Sequence, residues 1–339
     1  MRFLIGLVRL GFTLGVLVAA ILAVLGAFGF LSRALDVVNH VQPLLLAGLV
    51  MALLLVPLIL PAGLGRVTML GLCAAGLLAS AFIVLPEVIA TYSPRPPVPA
   101  GRQVVKLMTH NLFGRNYDMA RVAEVIAKEN PDIVALQEYF GEQRTELYPL
   151  LRDSYPYSVH CQGGKRANIG LYSKIPFAQS MDGACPDNAY VTDRTAHIIG
   201  KFELPDGTSF SVMTTHLDWP APKVERQENQ FAQLVQVANG VNGPLLVVGD
   251  FNSTPWSYAL RGFADEAHLT RQTHANFTYP TLFAFDKWRE TPPFLPLDQV
   301  MTRGNIEVHE LHVGEKTGSD HLPVIVSFTV GPESVAATP

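Results

Sequence analysis

LLVVGDFNST, residues 245–254, joins a run of aliphatic residues to Asp250 and Asn252, two residue types that form strands poorly. Leu245 to Val248 read as a fully buried strand, and Gly249 to Asn252 as the abrupt turn that ends it. Polar groups would then be concentrated at a sheet edge. The local alternative is a helix start. Asn252, Ser253 or Thr254 would cap a short helix by accepting an orphaned backbone N–H, and Pro255 in its first turn has no N–H to lose. On this stretch alone the two readings weigh the same, and the rest of the chain separates them.

The chain has 339 residues, a mean hydropathy of +0.24 and 16% charged residues, which is apolar for a wholly soluble protein. The apolar excess sits at one end. Residues 10–31, 41–65 and 67–86 contain no charge, and each run approaches or exceeds the roughly 20 apolar residues that cross a bilayer as a helix. Three transmembrane helices are expected, at about 10–31, 41–61 and 67–86, in a membrane region of residues 1–90. A cleaved signal peptide is the alternative for the first, with Arg2 and Arg9 as its charged end, but the stretch is longer than a signal's apolar core and two more follow it. Arg2, Arg9 and Arg66 would lie on one side, Arg33, Arg95 and Arg102 on the other. That balance is nearly even, and the two N-terminal arginines tip it toward a cytoplasmic N-terminus. After three crossings the remainder would lie outside the cytoplasm, as part of an integral inner or plasma membrane protein of a bacterium.

YSPRPPVPAGR, residues 92–102, is Pro-rich and aperiodic, as a semi-rigid linker is, and we take the linker as 91–102. Residues 103–330 make one domain, and 331–339 a flexible tail. Cys161 and Cys185 would form a disulfide in an oxidising compartment or remain two thiols, while Cys73 falls inside the third apolar run. Residues 88–339 hold 21 Lys and Arg against 27 Asp and Glu, a net charge of −6. A protein that grips long nucleic acid by its phosphates carries a basic footprint, and this chain has no basic run, so a stable nucleic-acid complex is not expected.

Short apolar stretches at 104–108, 132–136, 169–172, 196–202, 209–215, 245–248, 298–302 and 323–328 read as strands. Residues 118–130 read as a helix capped by Asp118 with Met119, Val122, Val125 and Ile126 on one face, and 222–239 as a second helix with Pro222 near its start. Strands and helices mixed in this way point to a layered α/β domain.

Polar residues recur where these strands end: Asn111, Glu138, His216, Asp250 and Asn252, with Asp298 at a strand start and Asp320 and His321 just before the last strand. Each alone has an ordinary reading as a turn former, a cap, a solvated acid or a satisfied core-edge histidine. Together they would converge on one rim of the sheet, where a ligand site is expected. Hard oxygen ligands of this kind suit Mg²⁺ or Mn²⁺ and not a structural zinc.

THNLFG, PDIVALQE, TTHLD, GDFNSTP, LDQV and GSDHLPV stand in the order found in the endonuclease/exonuclease/phosphatase superfamily, which includes deoxyribonuclease I, AP endonucleases, inositol-polyphosphate phosphatases and sphingomyelinases. The resemblance covers residues 103–329, and GDFN together with SDH is its specific part. It implies a four-layer α/β sandwich of two mixed sheets flanked by helices, and a metal-dependent phosphoester hydrolase. Position by position, Glu138 resembles the principal metal ligand, Asn111 its neighbour, and Asp320 a further metal or phosphate-site acid. His216 resembles the group near the leaving oxygen or phosphate. Asp250 and Asn252 resemble the pair that orients the attacking water and holds the phosphate, and His321 the catalytic histidine with Asp298 as its orienting carboxylate. Arg194 and Asn168 resemble phosphate-binding positions. One departure is Phe113, where AP endonucleases carry an acid.

The chemistry of the residues agrees. In-line attack by water on a phosphoester needs a cation to offset phosphoryl charge, a base near the water and help for the departing alkoxide. A carboxylate beside an imidazole fixes its tautomer and stabilises its protonated form. Either Asp250 or His321 would take the water's proton. The expectation is a membrane-anchored phosphoesterase with the bilayer and a lipid-linked or small phosphoester as its partners. The alternatives are an extracytoplasmic nuclease for DNA or RNA and a non-catalytic phosphate-binding module.

Overall fold

The computed structural model describes residues 1–180, 185, 194–284 and 288–331, so the expected tail at 331–339 lies outside the described residues except for Gly331. The chain divides into two compact units. One is Met1–Tyr92 with Thr254–Arg261, and the other is Ser93–Ser253 with Gly262–Pro339.

In the first unit nothing interrupts the apolar runs, and they form α1 (Arg2–Ala27), a short α2 (Arg33–Asp36), α3 (Gln42–Ile59) and α4 (Leu64–Thr91). Three spans, Arg2–Ala27, Arg33–Ile59 and Leu64–Thr91, are long and apolar enough to cross a membrane. Each is longer than its expected window because helix takes in the flanking polar residues on the N-terminal side, while the first two end at Ala27 and Ile59, short of the expected 31 and 61. Arg2 and Arg9 are helical, with Arg9 Nε donating to the Ile59 carbonyl at 2.9 Å. Asp36, Asn39, Gln42 and Ser80, all buried here, are joined to one another. Gln42 Nε2 donates to Ala23 O and Asn39 Oδ1, Ser80 Oγ donates to Gln42 Oε1, and Asn39 Nδ2 donates to Asp36 Oδ1. Asp36 also accepts from Ser257 Oγ and from the backbone N–H of Tyr258 and Ala259, each at 2.8 Å. Asp36 and Ser257 therefore cap the helix that begins at Tyr258, an N-terminus well suited to a carboxylate. The helix-start reading of Asn252 to Thr254 is overturned: the helix starts later and its caps are other residues.

The second unit runs β1 (Val105–Asn111), α5 (Met119–Glu129), β2 (Ile133–Gln137), α6 (Gly141–Leu151), β3 (Tyr157–Cys161), β4 (Ile169–Ser173), β5 (Phe177–Ser180), β6 (His197–Glu203), β7 (Ser209–His216), α7 (Val224–Asn239), β8 (Leu245–Asp250), α8 (Tyr258–Glu266), β9 (Thr270–Arg271), β10 (Leu282–Ala284), β11 (Trp288–Glu290), β12 (Asp298–Arg303), β13 (Ile306–Val313) and β14 (Val324–Val330), α8 crossing the division between units. One sheet has the order β13-β14-β1-β2-β4-β3 and the other β5-β6-β7-β8-β12-β9, while β10 and β11 form a separate hairpin. β1 and β2 are parallel, as are β7 and β8, and the remaining pairs are antiparallel, so both sheets are mixed.

Side-chain alternation builds the layers. Leu107, Ile133, Ala135 and Leu171 of the first sheet meet Phe202, Val212, Leu246, Val248 and Val300 of the second in one core. Met108, Val134 and Leu136 point the other way, onto Val122, Val125 and Ile126 of α5 and Leu147 of α6. Phe231 of α7 lies with Phe251 and Phe263 in a ring cluster at centroid distances of 5.4–6.3 Å. The result is the expected four-layer sandwich. Each fully buried Phe or Leu contributes roughly 1.5–3 kcal/mol over an exposed one, so the two-sided sheets are the main source of stability.

Asp118 caps α5 by accepting the Arg121 N–H, as the pattern predicts, and Asn130 ends it in the left-handed region. α7 begins at Val224, two residues after Pro222. β13 is a strand that the sequence reading does not name: a bulge between Val308 and Glu310 breaks the alternation that would announce it.

Candidate active site

The parallel pairs explain why the polar residues meet. β1 and β2 end together, with Asn111 opposite Gln137 and Glu138 next in line, and β7 and β8 end together, with His216 opposite Asp250. β12 is antiparallel to β8 and starts at that rim, which sets Asp298 opposite Asp250. Asn111 Nδ2 donates to Asp250 Oδ2 at 2.8 Å and ties the first sheet's rim to the second's. Gly249 is required by this closeness: its φ is +141°, and a Cβ there would run into the Thr215 carbonyl of β7. Glu138 and Asn252 adopt left-handed φ values of 50° and 46°, strain of the kind that a binding site stores.

His321 lies between two buried carboxylates. Its Nδ1 is 2.8 Å from Asp298 Oδ2 and its Nε2 is 3.7 Å from Asp250 Oδ2. Ser319 holds the turn, accepting the His321 N–H while its hydroxyl donates to the Asn111 carbonyl at 2.7 Å. Burial alone would lower the imidazole, but Asp298, Asp250 and Asp320 outweigh it and raise it to about 10. Burial would likewise raise Asp250, yet the His321 and His216 imidazoles and the Asn252 N–H bring it down to about 2. Burial keeps Asp298 raised despite His321. The carboxylates thus favour the imidazolium form of His321, and the imidazoles favour the ionised form of Asp250.

These shifts have a thermodynamic consequence. A group whose folded value is raised contributes stability that is full below its unfolded value and is lost as pH rises through the folded one. For His321 that window runs from 6.5 to about 10. Asp320, raised to about 6 by burial with Glu138 and Asp250 adding and His321 opposing, loses its contribution earlier, from 3.8 to about 6. We expect the melting temperature of the full chain in chelator to fall from pH 6.5 to 10, with a shallower fall in His321→Asn; equal slopes would remove His321 as the cause.

Glu138 and His216 face each other at 4.0 Å, and His216 Nε2 is 3.4 Å from Asp250 Oδ2. Asn252 donates Nδ2 to the Leu217 carbonyl at 2.8 Å and accepts nothing on its buried Oδ1; Asp298 Oδ1 is also buried without a partner. Asp250, Asp298 and His321 bring ligand atoms within 4.8 Å of one another. Buried acceptors left without donors, beside several carboxylates, fit a hard divalent cation or the water around one. Asn111 Oδ1 already accepts the Phe113 N–H, and Glu138 Oε2 the Gly114 N–H at 2.8 Å, so both side chains are held in place before any ligand arrives.

Asn168 lines a cleft of about 790 Å³ that has Glu138 and His216 in its wall. Arg194 does not line it: its side chain is exposed, and its carbonyl accepts the Lys165 N–H. Arg115 and Arg166 do line it, and neither is visible as a site residue in the sequence, because loop conformation brings them there. Tyr279 is a further neighbour, its ring centroid 4.7 Å from His321, with Trp219 5.5 Å beyond. Cys161 and Cys185 are joined by a disulfide, and the Cys161 carbonyl accepts the Asn168 N–H.

Residues 108–321 match the family described as the endonuclease/exonuclease/phosphatase family. A UPF0294 protein of Vibrio campbellii is 29% identical over 237 residues, 67% of this chain and 78% of its own. Among solved structures, an endonuclease/exonuclease/phosphatase from Beutenbergia cavernae has a TM-score of 0.53 at 22% identity, covering 69% of this chain and 74% of that one. The human nocturnin catalytic domain, solved with a bound sulfate anion, has a TM-score of 0.50 at 19% identity, covering 68% and 98%. Such structural likeness speaks for the fold.

Proposed function

The chain belongs to the endonuclease/exonuclease/phosphatase family, and from that premise we propose that it is a membrane-anchored, Mg²⁺- or Mn²⁺-dependent phosphoesterase acting outside the cytoplasm on a lipid-linked or small phosphoester. The observation that carries the catalytic part is the buried chain Asp298, His321, Asp250 at the strand ends, with His321 2.8 Å from Asp298. Glu138, with Asn111 and Asp320, would hold the cation, which when bound offsets charge on the phosphoryl oxygens. Asp250, kept ionised, accepts the proton of the attacking water. His321, kept protonated by its carboxylates, donates to a phosphoryl oxygen, and Asp298 fixes its Nδ1–H. His216 and Asn252 hold the phosphate and the leaving oxygen, with Asn168 as an outer phosphate contact.

The three apolar spans support a bilayer anchor, and the Cys161 to Cys185 disulfide supports an oxidising compartment. A net charge of −6 over residues 88–339 supports a small or lipid-linked substrate over long nucleic acid. The test is hydrolysis by the full chain in detergent against bis-p-nitrophenyl phosphate, phospholipids and plasmid DNA, with Mg²⁺ or EDTA. Metal-dependent release from the small diester and from one lipid class is expected. Nicking of plasmid alone would make it a nuclease, and rates equal in EDTA would remove the metal.

A further inference from the structure

The cleft beside Glu138 and His216 is built to hold charge at a second point. Its wall carries two guanidinium groups and two phenyl rings, those of Phe113 and Phe140, around Asn168. Arg115 is exposed and has no partner among the described residues. Arg166 donates through Nε to Asp218 at 2.7 Å, and Lys165 stands 3.1 Å from the other Asp218 oxygen. That pairing spends the single charge of Asp218 against two cations and orients the Arg166 guanidinium by one nitrogen, leaving its terminal pair for an outside acceptor. With Arg115, and with Glu138 also in the wall, the local balance is positive by one, in a domain whose net charge is −6.

Backbone strain is concentrated on the same cleft. Phe113, Glu138, Arg166 and Asn168 are four of the seven described non-glycine residues with left-handed φ. The loop that carries Arg166 and Asn168 is held at several points: Lys165 N–H to the Arg194 carbonyl, Ala196 N–H to the Lys165 carbonyl, Asn168 N–H to the Cys161 carbonyl, and the disulfide at Cys161. On the facing side, a Cβ at Gly114 would come within 2.8 Å of the Phe140 ring, so glycine is what lets that ring lie over the loop whose N–H holds Glu138. A pre-set pair of arginines next to the phosphate-cleaving residues matches a ligand with two phosphates a fixed distance apart. A polynucleotide would need a track of cations along the surface.

We propose that this cleft selects a small phosphoester bearing a second phosphate on the same molecule, with Arg115 and Arg166 as the specificity-determining residues and the Phe113 and Phe140 rings against its organic part. The proposal rests on the phosphoesterase reading above. In the step it serves, water's oxygen forms a bond to one phosphorus as Asp250 takes a proton from it, the P–O ester bond breaks, and the departing alkoxide takes a proton from solvent, while the second phosphate stays bound and unchanged.

The second phosphate has two sources, a phospholipid headgroup and a soluble sugar phosphate, and the test separates them. The full chain in detergent with Mg²⁺ is assayed on phosphatidylglycerol phosphate against phosphatidylglycerol, and on glucose 1,6-bisphosphate against glucose 6-phosphate. The doubly phosphorylated member of one pair should be preferred by about 10-fold or more. In the Arg115→Ala/Arg166→Ala variant kcat/KM on that member should fall about 10- to 100-fold, mainly through KM, as expected for lost charge-assisted hydrogen bonds. Bis-p-nitrophenyl phosphate, with one phosphate, should lose far less, and the double Lys variant should recover part of the loss. No preference in the wild type, or equal losses on all substrates, would overturn the proposal while leaving the phosphoesterase reading in place. Calorimetric titration with methylenediphosphonate decides the matter independently of turnover. Binding that the Ala variant loses supports the second-phosphate site even if no ester is cleaved, and no binding to the wild type overturns it.

Discussion

His321→Ala should lower kcat on any substrate of this protein by about 10²–10⁴-fold, the range of a positioned proton-transfer group. The imidazole lies buried between Asp298 and Asp250, so its loss removes the proposed donor to phosphoryl oxygen and exposes the two acids to each other. Stability should suffer as well. Breaking a buried pair from one side costs about 3–5 kcal/mol because the remaining charge is uncompensated, and Asp298 Oδ1 already lacks a partner. That separates two effects. In His321→Ala/Asp298→Ala the rate should fall no further than in His321→Ala, since the two act as a unit, while the melting temperature should recover because the stranded acid is gone. A double variant that is slower by the product of the single losses would show that Asp298 works apart from His321.

Asp250→Asn should cost a similar factor, about 10²–10⁴-fold in kcat. Asp250 is the most shared acceptor of the site: Oδ2 takes Asn111 Nδ2 at 2.8 Å and faces both histidines, and Oδ1 takes the Asn252 N–H at 2.8 Å. The Asn side chain keeps the shape and loses the charge, so it cannot take a proton from water, and its NH₂ opposes that of Asn111. Asp250 is also among the carboxylates that raise His321. The imidazole titration followed by NMR should therefore move down in this variant. A folded Asp250→Asn protein with near wild-type kcat would sink the assignment of Asp250 as the acceptor of the water's proton.

The residues behind both predictions are legible because burial and polarity conflict in them. A run such as Leu245 to Val248 predicts a two-sided strand, and an acid at its end is out of place unless it serves something. The same conflict marks His216 and Glu138. Long-range pairing is not legible in this way. That Asp298 stands opposite Asp250 follows from β12 running antiparallel to β8, and nothing local to LDQV states it. Arg115 and Arg166 were hidden for a different reason. They sit in loops, where left-handed residues and a disulfide determine direction, and no periodicity reports on that. Ser257 with Asp36 is a third kind of hidden fact, a helix cap contributed from far away in sequence. In the N-terminal helices, apolar length alone was informative, and only their ends moved.

His216, Asp250 and Asp298 form a transverse row across three neighbouring strands, β7, β8 and β12. Spacing along such a row is set by backbone hydrogen bonding at about 4.8 Å per strand, as teeth are set on a comb. On the proposed reading the chemistry is therefore written into the sheet, and selectivity into loops that end on it. Exchange of residues 162–166 leaves untouched both the comb and the Phe113 and Gly114 N–H groups that hold Asn111 and Glu138, so on this reading what is cleaved can change while the means of cleaving it stays.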